Sequence, residues 1–98
     1  MLAPSKINEI AKDVAVANLG ADNVVRVSSE SIADSDGEDA LRITIIIPEN
    51  AIARISGDNA LKTLVRMQER LRSAGDERFA IVEYATQREL DEVDDTES

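Results

Sequence analysis

The chain has 98 residues, a formal net charge of −9, and neither Cys nor His. That length suits one domain around one core. The missing residue types exclude zinc, haem and iron–sulfur ligation through the usual side chains, a thiol nucleophile and an imidazole base.

In chain order, the first residues, MLAPSKINEIAKD, lack the basic-then-apolar pattern of a signal peptide. No apolar run is long enough to span a membrane, so a cytoplasmic location is expected. Ile7, Ile10, Ala11, Val14 and Ala17 recur at helical spacing. Ser5 is the expected N-cap and Gly20 the expected stop.

NVVRVSSESI follows as a strand, with Val25 and Val27 on one face and Arg26, Ser28 and Glu30 on the other. ADSDGED is turn chemistry, and ALRITIII is the return strand of an antiparallel hairpin. The acids of this loop do not fit a calcium site: counted from Asp34, Gly37 is fourth and position twelve is Ile45. Ile46 breaks the alternation of Leu41, Ile43, Ile45 and Ile47, which places this strand centrally in its sheet.

Pro48 then opens about two turns of helix in PENAIARI, and SGDN interrupts it. Ser56 or Asp58 caps a longer helix with an apolar stripe of Ala60, Leu61, Leu64, Val65, Met67 and Leu71, ending at Ala74-Gly75. RFAIVEYA is a third strand. Thr86 and Glu89 stand at capping-box spacing before a short last helix. The last ten residues, ELDEVDDTES, hold six acids and no base, and without them the balance is only −3. One domain over residues 1–93 with a disordered acidic tail over 94–98 is predicted.

The predicted order is therefore α-β-β-α-α-β-(α), a two-layer α+β domain with a small three-stranded sheet and helices on one face. Because the link between the second and third strands passes through helices, it is a crossover.

LRITIII, AIARISGDNALKTLVRMQERL and RFAIVEYATQREL fall in an order that resembles class II KH domains and, more closely, the BolA family. The resemblance implies the fold but does not carry the families' functions across. BolA-like proteins share an iron–sulfur cluster through a histidine, and this chain has none. KH domains clamp a nucleic-acid backbone with a Gly-x-x-Gly loop. The corresponding residues here are Gly57-Asp58-Asn59-Ala60, with an acid where phosphate would approach.

No spacing assembles a nucleophile, a base and an orienting group. The four Gly stand beside element boundaries and form no phosphate cradle. No enzymatic activity, cofactor or metal is therefore expected. Glu30 and Glu83 are expected as cross-strand partners of Arg26 or Arg42.

Two features point to protein partners. Lys62, Arg66 and Arg70 repeat every four residues on the long helix, forming with Arg54 a basic set that suits an acidic partner or, as the rival reading, nucleic acid. The tail acids Asp91, Glu92, Asp94 and Asp95 suit a basic partner. Ile46, with Val24 or Ile32, is expected to make the uncovered sheet face partly apolar, a surface for a partner or a second copy. The expected function is a small protein–protein interaction module, either an adaptor or an antitoxin-like inhibitor of a basic partner.

Overall fold

A computed structural model describes residues 1–90. The first helix, α1 (Pro4–Leu19), buries Ile7, Ile10, Ala11, Val14, Ala15 and Leu19 along one face. It opens two residues earlier than a Ser5 cap predicts. Ala3 is the N-cap and Pro4 the first helical residue, where a missing N–H leaves no bond unmade. Ala17 is exposed, because the buried face is centred on Ala11 and Ala15.

Gly20 ends α1 at φ +93°, ψ 143°, donating its N–H to the Val16 carbonyl. That conformation is nearly glycine-only. Gly20→Ala is expected to cost about 1–3 kcal/mol, read from thermal or urea unfolding. An added Cβ would meet only Asn23 Nδ2, at 3.6 Å, so the penalty lies in the backbone.

β1 (Arg26–Ala33) and β2 (Asp39–Ile47) form the predicted antiparallel hairpin, with Val27 opposite Ile45 and Glu30 opposite Arg42. Val25 lies just before β1 and is exposed, while Val24 and Val27 pack on the core. Asp34 Oδ1 accepts from the N–H groups of Asp36 and Glu38 in the loop between the strands, the local side-chain bonding expected of such a turn.

After Pro48 the chain forms a 3-10 helix, Glu49–Arg54, where two turns of α-helix were predicted. Seven residues between Pro48 and the next cap, Ser56, are too few to propagate an α-helix, so the tighter turn wins. Ser56 then caps α2 (Gly57–Ser73), its Oγ accepting from the Asn59 N–H at 3.1 Å. Ala74 and Gly75 end that helix, Gly75 at φ +102°.

β3 (Phe79–Thr86) lies parallel to β2, with Ile43 opposite Val82 and Ile45 opposite Tyr84. The sheet order is β1-β2-β3. β2 is central, as its two-sided apolar character predicts. Leu41, Ile43, Ile45 and Ile47 face one core cluster together with α1, Met67, Leu71 and Ala80. This is the predicted α+β architecture, with both long helices on that face.

Residues 87–90 are helical behind the predicted capping box. Thr86 Oγ1 accepts from the Glu89 N–H at 3.2 Å, and Glu89 Oε1 accepts from the Thr86 N–H at 3.4 Å. The predicted continuation of this helix and the predicted tail, with Asp91, Glu92, Asp94 and Asp95, lie outside the described residues. Among the described residues no helix is long and apolar enough to cross a membrane.

Candidate functional site

The sheet face away from the helices differs from expectation. Ile46 is 1% exposed and offers no surface to a partner. As a residue of the central strand it is flanked on both sides, by Arg26 of β1 and Ala85 of β3. Ile32, opposite Ala40, shares its face; Val24 packs on the core instead. A charged row crosses this face. Arg42 pairs with Glu30 of β1 at 2.9 Å and Glu83 of β3 at 3.6 Å, the cross-strand arrangement expected of these carboxylates. Both carboxylates are exposed and Arg42 is half-buried, so each pair contributes only ~0–1 kcal/mol.

The basic set is divided. Arg54 ends the 3-10 helix and donates to Asn23 Oδ1 at 2.9 Å and Asn50 Oδ1 at 3.2 Å, away from the basic residues of α2. Lys62, Arg66 and Arg70 are exposed along α2. Arg66 and Arg70 border α1 beside Val14 and Asn18, and Arg66 pairs with Glu69 at 3.5 Å. Asp58 and Glu69 interrupt the stripe, so its field on a polyanion is diluted.

The largest departure concerns α2. Thr63, Met67 and Leu71 are its buried residues, while Leu61 is 60% and Val65 48% exposed. The apolar arc of this helix is wider than the strip the core takes, and Gln68 decides its rotation. Gln68 Nε2 donates to the Arg78 carbonyl and Gln68 Oε1 accepts from the Ala80 N–H, both at 2.9 Å. The side chain thus serves as a short stand-in strand on the outer edge of β3. With Gln68 turned to that edge, Thr63 meets the interior. Its hydroxyl is satisfied there by donating to the Asn59 carbonyl at 2.7 Å.

Leu61 and Val65 are therefore left outside. Phe79, 61% exposed at the start of β3, lies beside Leu64 and Val65 across a shallow hollow. Leu64, Val65 and Phe79 form an apolar flank along the β3 edge, bordered by Glu69 and Arg72, and Leu61 continues it over the outer face of α2, in a hollow shared with Lys62, Arg66 and Asn18 of α1. Nothing in the sequence singled out this flank, because its members read as core.

A second hollow, about 330 Å³, lies where β2 and β3 meet the start of α2. Its lining is mainly apolar, including Ile52, Ile55, Ala60 and Tyr84. The polar groups around it are engaged in capping: Ser56 on α2, Thr86 and Glu89 on each other. Tyr84 Oη is buried, with Thr63 beside it, and burial pushes its hydroxyl up from the ordinary value. Among the described residues no nucleophile–base pair faces this space.

One strongly perturbed group was not anticipated. Asp76 is 1% exposed and accepts from Arg78 Nε, Arg78 Nη2, the Arg78 N–H and the Leu2 N–H. The Arg78 guanidinium holds its carboxyl well below the ordinary range, against the opposing effect of burial. Arg78 Nη1 also donates to Ser31 Oγ at 2.8 Å. A carboxylate with every oxygen so occupied is a structural tie, with no lone pair free for proton transfer. No protein-family model matches this chain, and no curated protein matches its sequence.

Proposed function

We propose that this protein is a non-enzymatic protein–protein interaction module, an adaptor or an inhibitor of a basic partner, that docks through the α2–β3 flank. The observation that carries the reading is the clustering of Leu61, Val65 and Phe79 on the surface beside a strand edge. Large apolar residues gathered this way mark interaction surfaces, whereas scattered ones do not. The net charge of −9 favours a basic partner by attraction at a distance.

Affinity purification from the native host, wild type against Val65→Glu, tests this. A basic protein retained by the wild type and lost from the variant, with an unchanged circular dichroism spectrum, is the expected result. Retention indifferent to Val65 would overturn it. Titration with RNA and DNA across salt concentrations addresses the rival. Tight, steeply salt-dependent binding lost with Lys62→Ala and Arg66→Ala would replace docking with nucleic-acid recognition.

A further inference from the structure

We propose that the part of the partner seated on this flank is an extended strand that adds to the free edge of β3, its apolar side chains on the α2 side alternating with basic ones on the Glu83 side; this rests on the docking reading above.

The two edges of the sheet differ. The β1 edge is polar, with Arg26, Ser28, Ser29, Glu30 and Ser31, the composition that discourages strand addition. The β3 edge is Phe-Ala-Ile-Val-Glu-Tyr, and among the described residues no strand pairs with its outer side. Gln68 shows which backbone groups point outward, since it bonds the Arg78 carbonyl and the Ala80 N–H. Alternation then places the Ala80 carbonyl and the N–H and C=O groups of Val82 and Tyr84 on that same outer side. Gln68 seals one end of the edge and leaves this row of donors and acceptors.

The row selects an extended backbone. A helix has already paired its own N–H and C=O groups, so it would cover Leu64 and Val65 and leave the edge unmet. A strand brings both groups at the matching spacing. The row also disfavours a second copy. In a two-fold pairing about Val82, Tyr84 of each chain falls opposite Ala80 of the other, whose N–H Gln68 already holds. A segment free of symmetry can start at the Ala80 carbonyl and run past Tyr84.

The side chains beside the edge set the chemistry of the occupant. Ala80, Val82 and Tyr84 turn to the core, on the side where Leu64 and Val65 of α2 stand next to β3. Every second side chain of an added strand lies on that side, and apolar ones there cover Leu64 and Val65. The intervening side chains lie on the opposite face, beside Ile81 and Glu83, which neighbour Arg42 and Thr44 of β2. Glu83 is half exposed and 3.6 Å from Arg42, whose closer partner is Glu30 at 2.9 Å. Its carboxylate can therefore take a Lys or Arg from the added strand as a cross-strand pair. The partner's basic residues then meet Glu83, and its apolar ones the side that carries Arg72.

The probe is the capped peptide Lys-Val-Lys-Val-Lys-Val-Lys, titrated into the isotope-labelled full chain. Binding is expected to shift the amide resonances of Val82 and Tyr84. In an extended peptide the N–H groups of the Val residues point to one edge and those of the Lys residues to the other. N-Methylation of one set should weaken binding at least tenfold, and of the other set leave it nearly unchanged. Replacing every Lys of the peptide by Glu should also weaken binding at least tenfold. Equal effects of the two methylated sets overturn strand addition. So do undisturbed Val82 and Tyr84 amides at millimolar peptide. A Glu peptide that binds as tightly as the Lys peptide overturns the basic occupant. A full chain that sediments at twice its mass, with those two amides already protected from exchange, overturns the partner strand in favour of a second copy. Strand addition overturned while a basic protein is still captured through Val65 leaves the docking reading standing.

Discussion

Replacing Asp76 with Ala is expected to destabilise the fold by about 3–5 kcal/mol, because it strands the Arg78 guanidinium, 10% exposed, without a counter-charge. The loss extends beyond the ion pair. Asp76 also accepts the backbone N–H of Leu2 and of Arg78, while Arg78 reaches Ser31 on β1. One carboxylate thus ties the chain ahead of α1 to the start of β3, and its partner ties β3 to β1. Asp76→Leu combined with Arg78→Met should recover part of the loss. No charge is then left buried, but the two N–H groups still lack their acceptor. Urea unfolding of the two single variants and the double variant measures this directly.

The same group sets an acid dependence. The folded carboxyl lies well below its ordinary value of 3.8, so the unfolded chain binds this proton more readily. The stabilisation is complete above that value and is lost as pH falls below 3.8 toward the lower folded value. Wild type should lose stability through that window. Asp76→Asn should start less stable at neutral pH and show a flatter acid limb.

The second large effect separates two leucines of one helix. Leu71→Ala is expected to cost about 2–5 kcal/mol, since Leu71 is fully buried and its loss leaves a cavity against the core. Leu61→Ala should change monomer stability by no more than about 0.5 kcal/mol, as an exposed site does. Both residues belong to the same predicted stripe. Equal costs would mean that α2 is rotated differently from the orientation held by Gln68.

Much of the fold was legible because its signals are local. Ile7, Ile10, Ala11 and Val14 repeat with the helical period, and Ile43, Ile45 and Ile47 with the strand period, whatever they pack against. Gly20 and the Thr86–Glu89 pair act through backbone groups within four residues, so their roles follow from spacing, while the choice of Ser56 over Asp58 as the cap of α2 came from the structure. The candidate surface was far less legible. Leu61 and Val65 satisfy the helical pattern as well as Met67 does, and the pattern carries no information about where the core ends around the helix. Lys62, Arg66 and Arg70 are all exposed on α2, as their spacing requires. Arg54 was not separable from them until its bonds to Asn23 and Asn50 were seen.

By itself the sequence determined the element order, the central place of β2, the stop at Gly20 and the Thr86–Glu89 capping box, and the absence of thiol and imidazole side chains. Tertiary structure alone decided that β3 joins the free side of β2, that Ile46 is covered, that Asp76 and Arg78 form a buried pair, and that α2 turns Thr63 inward and Leu61 and Val65 outward. The physical reason is range. Period and capping act within one or two turns of chain. Burial and pairing depend on which distant groups must be satisfied together, here the Arg78 carbonyl and Ala80 N–H that Gln68 reaches.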